Sequence, residues 1–62
     1  MSIVKVIFVD WNGEEHEVNV TSEMYPYLLA GSDEATCVKA IRYVKRRYTE
    51  FYTLCSVEIV AR

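Results

Sequence analysis

Few residues in this chain have side chains that could do chemistry. His16 is the only histidine, Cys37 and Cys55 are the only cysteines, and four carboxylates, Asp10, Glu14, Glu15 and Glu17, lie close to Trp11. A histidine acting as general base needs a nucleophile or an acid within hydrogen-bond reach. The sequence neighbours of His16 are Glu15 and Glu17, which on an extended strand project to the opposite face. The two cysteines form no C-x-x-C pair and stand at no ligand spacing from a histidine, which argues against zinc. The acids follow no Asp-x-Asp-x-Asp-Gly pattern, and carboxylates spread along a strand and its turn diverge, so no metal site and no cofactor is expected. Without a catalytic constellation, the chain reads as a binding protein and not as an enzyme.

The elements that must position these residues are those of one small domain spanning residues 1–62. At this length a single core is near the lower limit for independent folding, so exposed apolar surface points to a partner or a second copy. A hydrophobic content of 52% with 26% charged residues places the chain among folded proteins rather than disordered ones. The longest apolar run, Val6 to Val9, is far too short to span a bilayer, and no signal-peptide pattern opens the sequence. A cytoplasmic location is expected, with Cys37 and Cys55 as buried free thiols.

Ile3 to Val9 is β-branched and aromatic apart from Lys5, the pattern of a central strand apolar on both faces. Glu14 to Thr21 alternates, as a half-exposed antiparallel strand does. Two hairpin registers are open between them. A two-residue Asn12-Gly13 turn would set Val18 and Val20 beside Ile7 and Lys5 and so bury a lysine. A three-residue loop, Trp11-Asn12-Gly13, opened by Asp10 in a type I turn and closed by a left-handed Gly13, unites Val4, Val6 and Phe8 with Val20, Val18 and His16. The second makes the cleaner core and is preferred. It leaves Ile3, Ile7 and Val9 on the outer face with Lys5, Glu15 and Glu17, an apolar strip rimmed by acids that could pair with a second copy.

Residues 22–31 admit either a short helix capped by Ser22 or an apolar loop. Ser32 then caps a helix expected from Asp33 to Tyr48, with acids in its first turn and Arg46 and Arg47 in its last. At 100° per residue its core stripe is Cys37, Ile41, Val44 and Tyr48, with Ala40 at the margin. The last strand, Phe51 to Ala61, alternates with Phe51, Cys55, Val57, Ile59 and Ala61 on one face; Leu54 and Val60 interrupt the polarity of the other. The expected fold is α+β, ββαβ, a single antiparallel sheet in the order 2-1-3 with one helix on one face.

Charge is unevenly distributed along the chain. Residues 1–34 carry seven acids against Lys5 alone, whereas residues 35–62 carry six bases against Glu50 and Glu58. Two candidate surfaces follow. One is the acidic hairpin, Asp10, Glu14, Glu15 and Glu17 around Trp11, where carboxylates would steer a basic partner toward an aromatic anchor. The alternative is the helix back, Lys39, Arg42, Tyr43, Arg46 and Arg47, an aromatic within a basic patch that would suit single-stranded nucleic acid. The acidic pI of about 5.2 counts against the alternative, because phosphate neutralisation dominates nucleic-acid affinity.

The succession of hairpin "IVKVIFVDWNGEEHEVNV", capped helix "SDEATCVKAIRYVKRRY" and strand "FYTLCSVEIVA" resembles the small proteins with which phages and mobile elements block host defence, anti-CRISPR proteins among them. The resemblance covers most of the chain, rests on architecture and charge, and includes no diagnostic motif. It implies an inhibitor whose acidic surface, here Asp10, Glu14, Glu15 and Glu17, occupies a nucleic-acid-binding groove on a host protein complex.

Overall fold

A computed structural model of the chain describes residues 2–62. The strands β1 (Ile3–Asp10), β2 (Glu15–Thr21) and β3 (Phe51–Ala61) and the helix α1 (Asp33–Arg47) follow one another as β1-β2-α1-β3. The fold is α+β: one antiparallel three-stranded sheet in the order β2-β1-β3, with α1 packed on one face. The doubly apolar first strand takes the central place, paired on one edge with β2 and on the other with β3. No helix among the described residues is long and apolar enough to cross a membrane.

The hairpin adopts the three-residue loop. Val4 pairs with Val20, Val6 with Val18 and Phe8 with His16. The Gly13 N–H donates to the Asp10 carbonyl at 3.0 Å, closing the type I turn, and the Asp10 N–H donates to the Glu14 carbonyl at 2.9 Å. Gly13 sits at φ +84°, where an L side chain is strained. Val4, Val6, Phe8, Val18 and Val20 therefore all face the helix and are buried.

Of the two forms open to residues 22–31, the structure takes the loop, a chain of tight turns: Tyr25 donates to Thr21, Leu28 to Tyr25 and Ala30 to Tyr27. Leu28 is driven fully into the core, and Tyr25 packs on Tyr43 with ring centroids 6.2 Å apart. Because this loop walls one flank of α1, the helix is rolled about its axis relative to the expected stripe. Its buried line is Thr36, Ala40 and Val44, with Cys37, Ile41 and Tyr48 only partly covered. Small Ala40 at the centre lets the helix axis approach the sheet. The helical start is as expected, with Ser32 Oγ accepting from the Ala35 N–H at 3.1 Å; the helix ends at Arg47, and Tyr48 is its C-cap.

Besides the helix stripe, β3 also departs from expectation. Its pairing with β1 slips three times, between Ile3 and Val4, Ile7 and Phe8, and Val9 and Asp10. Each slip leaves one extra residue on β3, namely Val60, Cys55 and Tyr52. As a result Leu54, not Cys55, stands opposite Phe8, and the Cys55 thiol is exposed where burial was expected. Cys37 is half-buried, and both thiols are free. Phe51 is brought opposite Asp10 and stacks on Phe8 at 5.0 Å, closing the core at the hairpin end.

One atom of this core is out of place. Thr36 Oγ1 is fully buried and has no hydrogen-bond partner. Its desolvation is uncompensated, whereas the nearly isosteric valine would fill the same space without it. Thr36→Val should raise unfolding stability by about 1 kcal/mol; urea denaturation followed by circular dichroism reads this, and a loss of stability would show that the hydroxyl is satisfied in solution.

Candidate functional site

Strand β1 ends in Asp10, and even positions of β1 face the helix, so its carboxylate turns inward with only 8% of the side chain exposed. One oxygen, Oδ1, accepts the N–H groups of Asn12 (2.8 Å) and Glu14 (2.9 Å), clasping the turn from beneath. The other, Oδ2, lies 2.7 Å from His16 Nε2. His16 stands on β2 opposite Phe8, and its ring stacks on Phe8 at 5.0 Å with 13° between planes. Asp10 thus belongs to the hairpin's internal structure and is not available as a surface acid for a partner.

The remaining acids stay in solvent. Glu14 occupies the end of the turn, while Glu15 and Glu17 project from the open face of the sheet beside Val9 and Ile7. Trp11, at the tip, is 69% exposed and leans on Tyr52 with ring centroids 4.5 Å apart. Ile3, Ile7 and Val9 line the centre of the open face and are half-buried. Lys5 on that face is engaged by Glu58 at 3.8 Å. Among the described residues, the ion pairs are Lys5–Glu58, His16–Asp10 and Arg62–Asp33, so Glu14, Glu15 and Glu17 carry uncompensated charge.

The basic set is divided by the roll of the helix. Lys39 Nζ donates to the carbonyls of Tyr27 and Ala30 and so fastens the loop to the helix. Tyr43 is half-buried against Tyr25, with the Arg47 guanidinium 5.5 Å over its ring. Arg42 and Arg46 remain exposed and border a hollow of about 170 Å³ with Tyr25 and Tyr43. None of Arg42, Lys45, Arg46 and Arg47 pairs with a carboxylate among the described residues. Between the two chain halves only Arg62–Asp33 and Lys5–Glu58 pair, so most of their opposite charges do not meet among the described residues.

The pairing of Asp10 with His16 departs from the sequence expectation, in which only Glu15 and Glu17 neighbour His16; the three-residue turn places Asp10, Glu14 and His16 on the same side of the hairpin. The signal was present in the register itself, because position 14 closes opposite 10 and position 16 follows two residues later on the same face. Comparison of the chain with family models, with curated proteins and with solved structures found no match.

The pairing perturbs both groups. The Asp10 carboxyl is held below its ordinary 3.8 by the His16 hydrogen bond first and then by the Glu14 N–H, with burial opposing. His16 is raised above its ordinary 6.5, chiefly by its hydrogen bond to Asp10, with burial opposing and the charges of Asp10, Glu50 and Glu14 adding. A raised histidine stabilises the fold fully below 6.5 and loses that contribution as pH rises through its folded-state value. A lowered carboxyl contributes above 3.8 and loses it as pH falls through its own. The melting temperature should therefore be higher at about pH 6 than at about pH 8.5, and Asp10→Asn should flatten that difference and cost several degrees at the lower pH. Parallel melting profiles for the two proteins across this range would refute the pairing.

Proposed function

We propose that the protein is a small non-enzymatic binding module, an inhibitor of the anti-CRISPR type that occupies a basic, nucleic-acid-binding groove on a host complex. The observation carrying this reading is the cluster of exposed, unpaired Glu14, Glu15 and Glu17 next to the exposed Trp11–Tyr52 pair. An aromatic pair supplies contact area with few rotamers to freeze, and carboxylates without internal partners are free to meet arginine and lysine. Asp10 supports this surface from below by fixing the turn on which Trp11 and Glu14 are displayed. The support is physical and comes from charge, exposure and rigidity.

A second reading retains one specific observation, the hollow where unpaired Arg42 and Arg46 meet Tyr25 and Tyr43. It would bind single-stranded nucleic acid through the guanidinium groups. Tyr43 contributes less than an exposed ring would, since Arg47 and Tyr25 already cover it.

Expression in cells with active CRISPR-Cas interference tests the first reading. The wild-type chain should restore plaquing of a targeted phage, and Glu14→Gln/Glu15→Gln/Glu17→Gln should lose that effect while keeping the wild-type circular dichroism spectrum. Equal protection by wild type and triple variant would overturn the acidic-surface account. A gel shift with single-stranded oligonucleotides that is abolished by Arg42→Ala/Arg46→Ala would transfer the function to the helix back.

A further inference from the structure

We propose that Asp10, Glu14 and His16 form a binding site for a single zinc ion at the root of the hairpin. Their donor atoms, two carboxylate oxygens and one imidazole nitrogen, all lie within 4.8 Å of one another. Although the sequence suggested carboxylates that diverge, only Glu15 and Glu17 do so, on the opposite face of the sheet. The three ligands converge because the turn closes Glu14 against Asp10 and the strand returns His16 to the same side.

The donors are held in place by groups outside the site. Backbone N–H groups of Asn12 and Glu14 fix Asp10 Oδ1, so that Oδ2 alone is directed at the cluster from a side chain that is 8% exposed. Stacking on Phe8 fixes the plane of the His16 ring and presents Nε2. The Glu14 carboxylate has no hydrogen-bond or ion-pair partner among the described residues and is exposed, which leaves it free to close over an ion arriving from solvent. Such support of ligating groups by outer hydrogen bonds is typical of metal sites.

One nitrogen and two carboxylate oxygens select the metal. Zinc takes imidazole and carboxylate donors at about 2.0–2.2 Å, with three protein ligands and a water in its open sites. Donors on a tetrahedral ion of that radius stand about 3.3 Å apart, so the 2.7 Å Asp10–His16 contact needs to open only slightly. Calcium takes about six to eight oxygen ligands, and magnesium, which prefers oxygen donors and keeps its waters, gains little from an imidazole nitrogen. The site shares Glu14 alone with the proposed partner surface and is argued from the convergence of its three donors, so zinc binding that persists in Glu15→Gln/Glu17→Gln separates it from the proposed inhibition.

Isothermal titration of the whole chain with zinc chloride, repeated on Cys55→Ser to remove the exposed thiol, is the test. One ion per chain should bind to both proteins, and magnesium chloride should give no heat. Glu14→Gln, whose side chain is exposed, and His16→Gln should each weaken zinc binding about tenfold or more, whereas Glu15→Gln/Glu17→Gln should leave it unchanged. Cobalt substituted for zinc should show the visible absorption of a tetrahedral site, lost in Glu14→Gln. Binding that survives Glu14→Gln, falls with Cys55→Ser or Glu15→Gln/Glu17→Gln, or is absent from the wild type would overturn the proposal.

Discussion

The structure depends on what the Asp10 carboxylate does beneath the hairpin turn. Its Oδ1 holds the N–H groups of Asn12 and Glu14, and its main chain holds Gly13 and Glu14. Those bonds commit the chain to a three-residue loop. A one-residue change in loop length would send every β2 side chain to the other face, placing Glu17 and Asn19 in the core and Val18 and Val20 in water. In a chain this short, the loss of two buried valines would remove much of the driving force for folding. The turn therefore decides the faces of the sheet, and through them which residues the helix can cover.

The same commitment sorts the charges. With the register fixed, Glu15 and Glu17 emerge on the open face and Asp10, Glu14 and His16 gather at the root of the hairpin. On the far side, the helix covers the sheet through Thr36, Ala40 and Val44 and turns Arg42 and Arg46 outward. The result is a molecule with an acidic tip, where Glu14, Glu15 and Glu17 lack ion-pair partners, and a basic back, where Arg42 and Arg46 lack them among the described residues. Binding at either surface needs no rearrangement of the core.

Much of this architecture was legible in the amino-acid sequence, for reasons that can be named. Asp at the first position of a type I turn, Gly at its left-handed end and the alternation from Glu15 to Val20 all agree on one register, and Ser32 marks the start of the helix without competition. The parts that were not legible share a cause, since each depends on contacts distant in sequence. Turns over residues 22–31 supply Leu28 and Tyr25, and these decide how far the helix rolls. The bulges at Tyr52, Cys55 and Val60 have no turn residue to announce them; Leu54 and Val60, which break the polar alternation, were their only trace. Asp10 was misread as a surface acid because its position beside other acids concealed its parity with the core residues of β1.

Amide hydrogen exchange by NMR at Asn12 and Glu14 examines the central role of Asp10 most directly. Both N–H groups should be protected in the wild type, although they lie in and beside an exposed turn, and Asp10→Ala should abolish protection at both while the β1–β3 amides keep theirs. Rapid exchange at Asn12 and Glu14 in the wild type, or protection that persists in Asp10→Ala, would contradict the account.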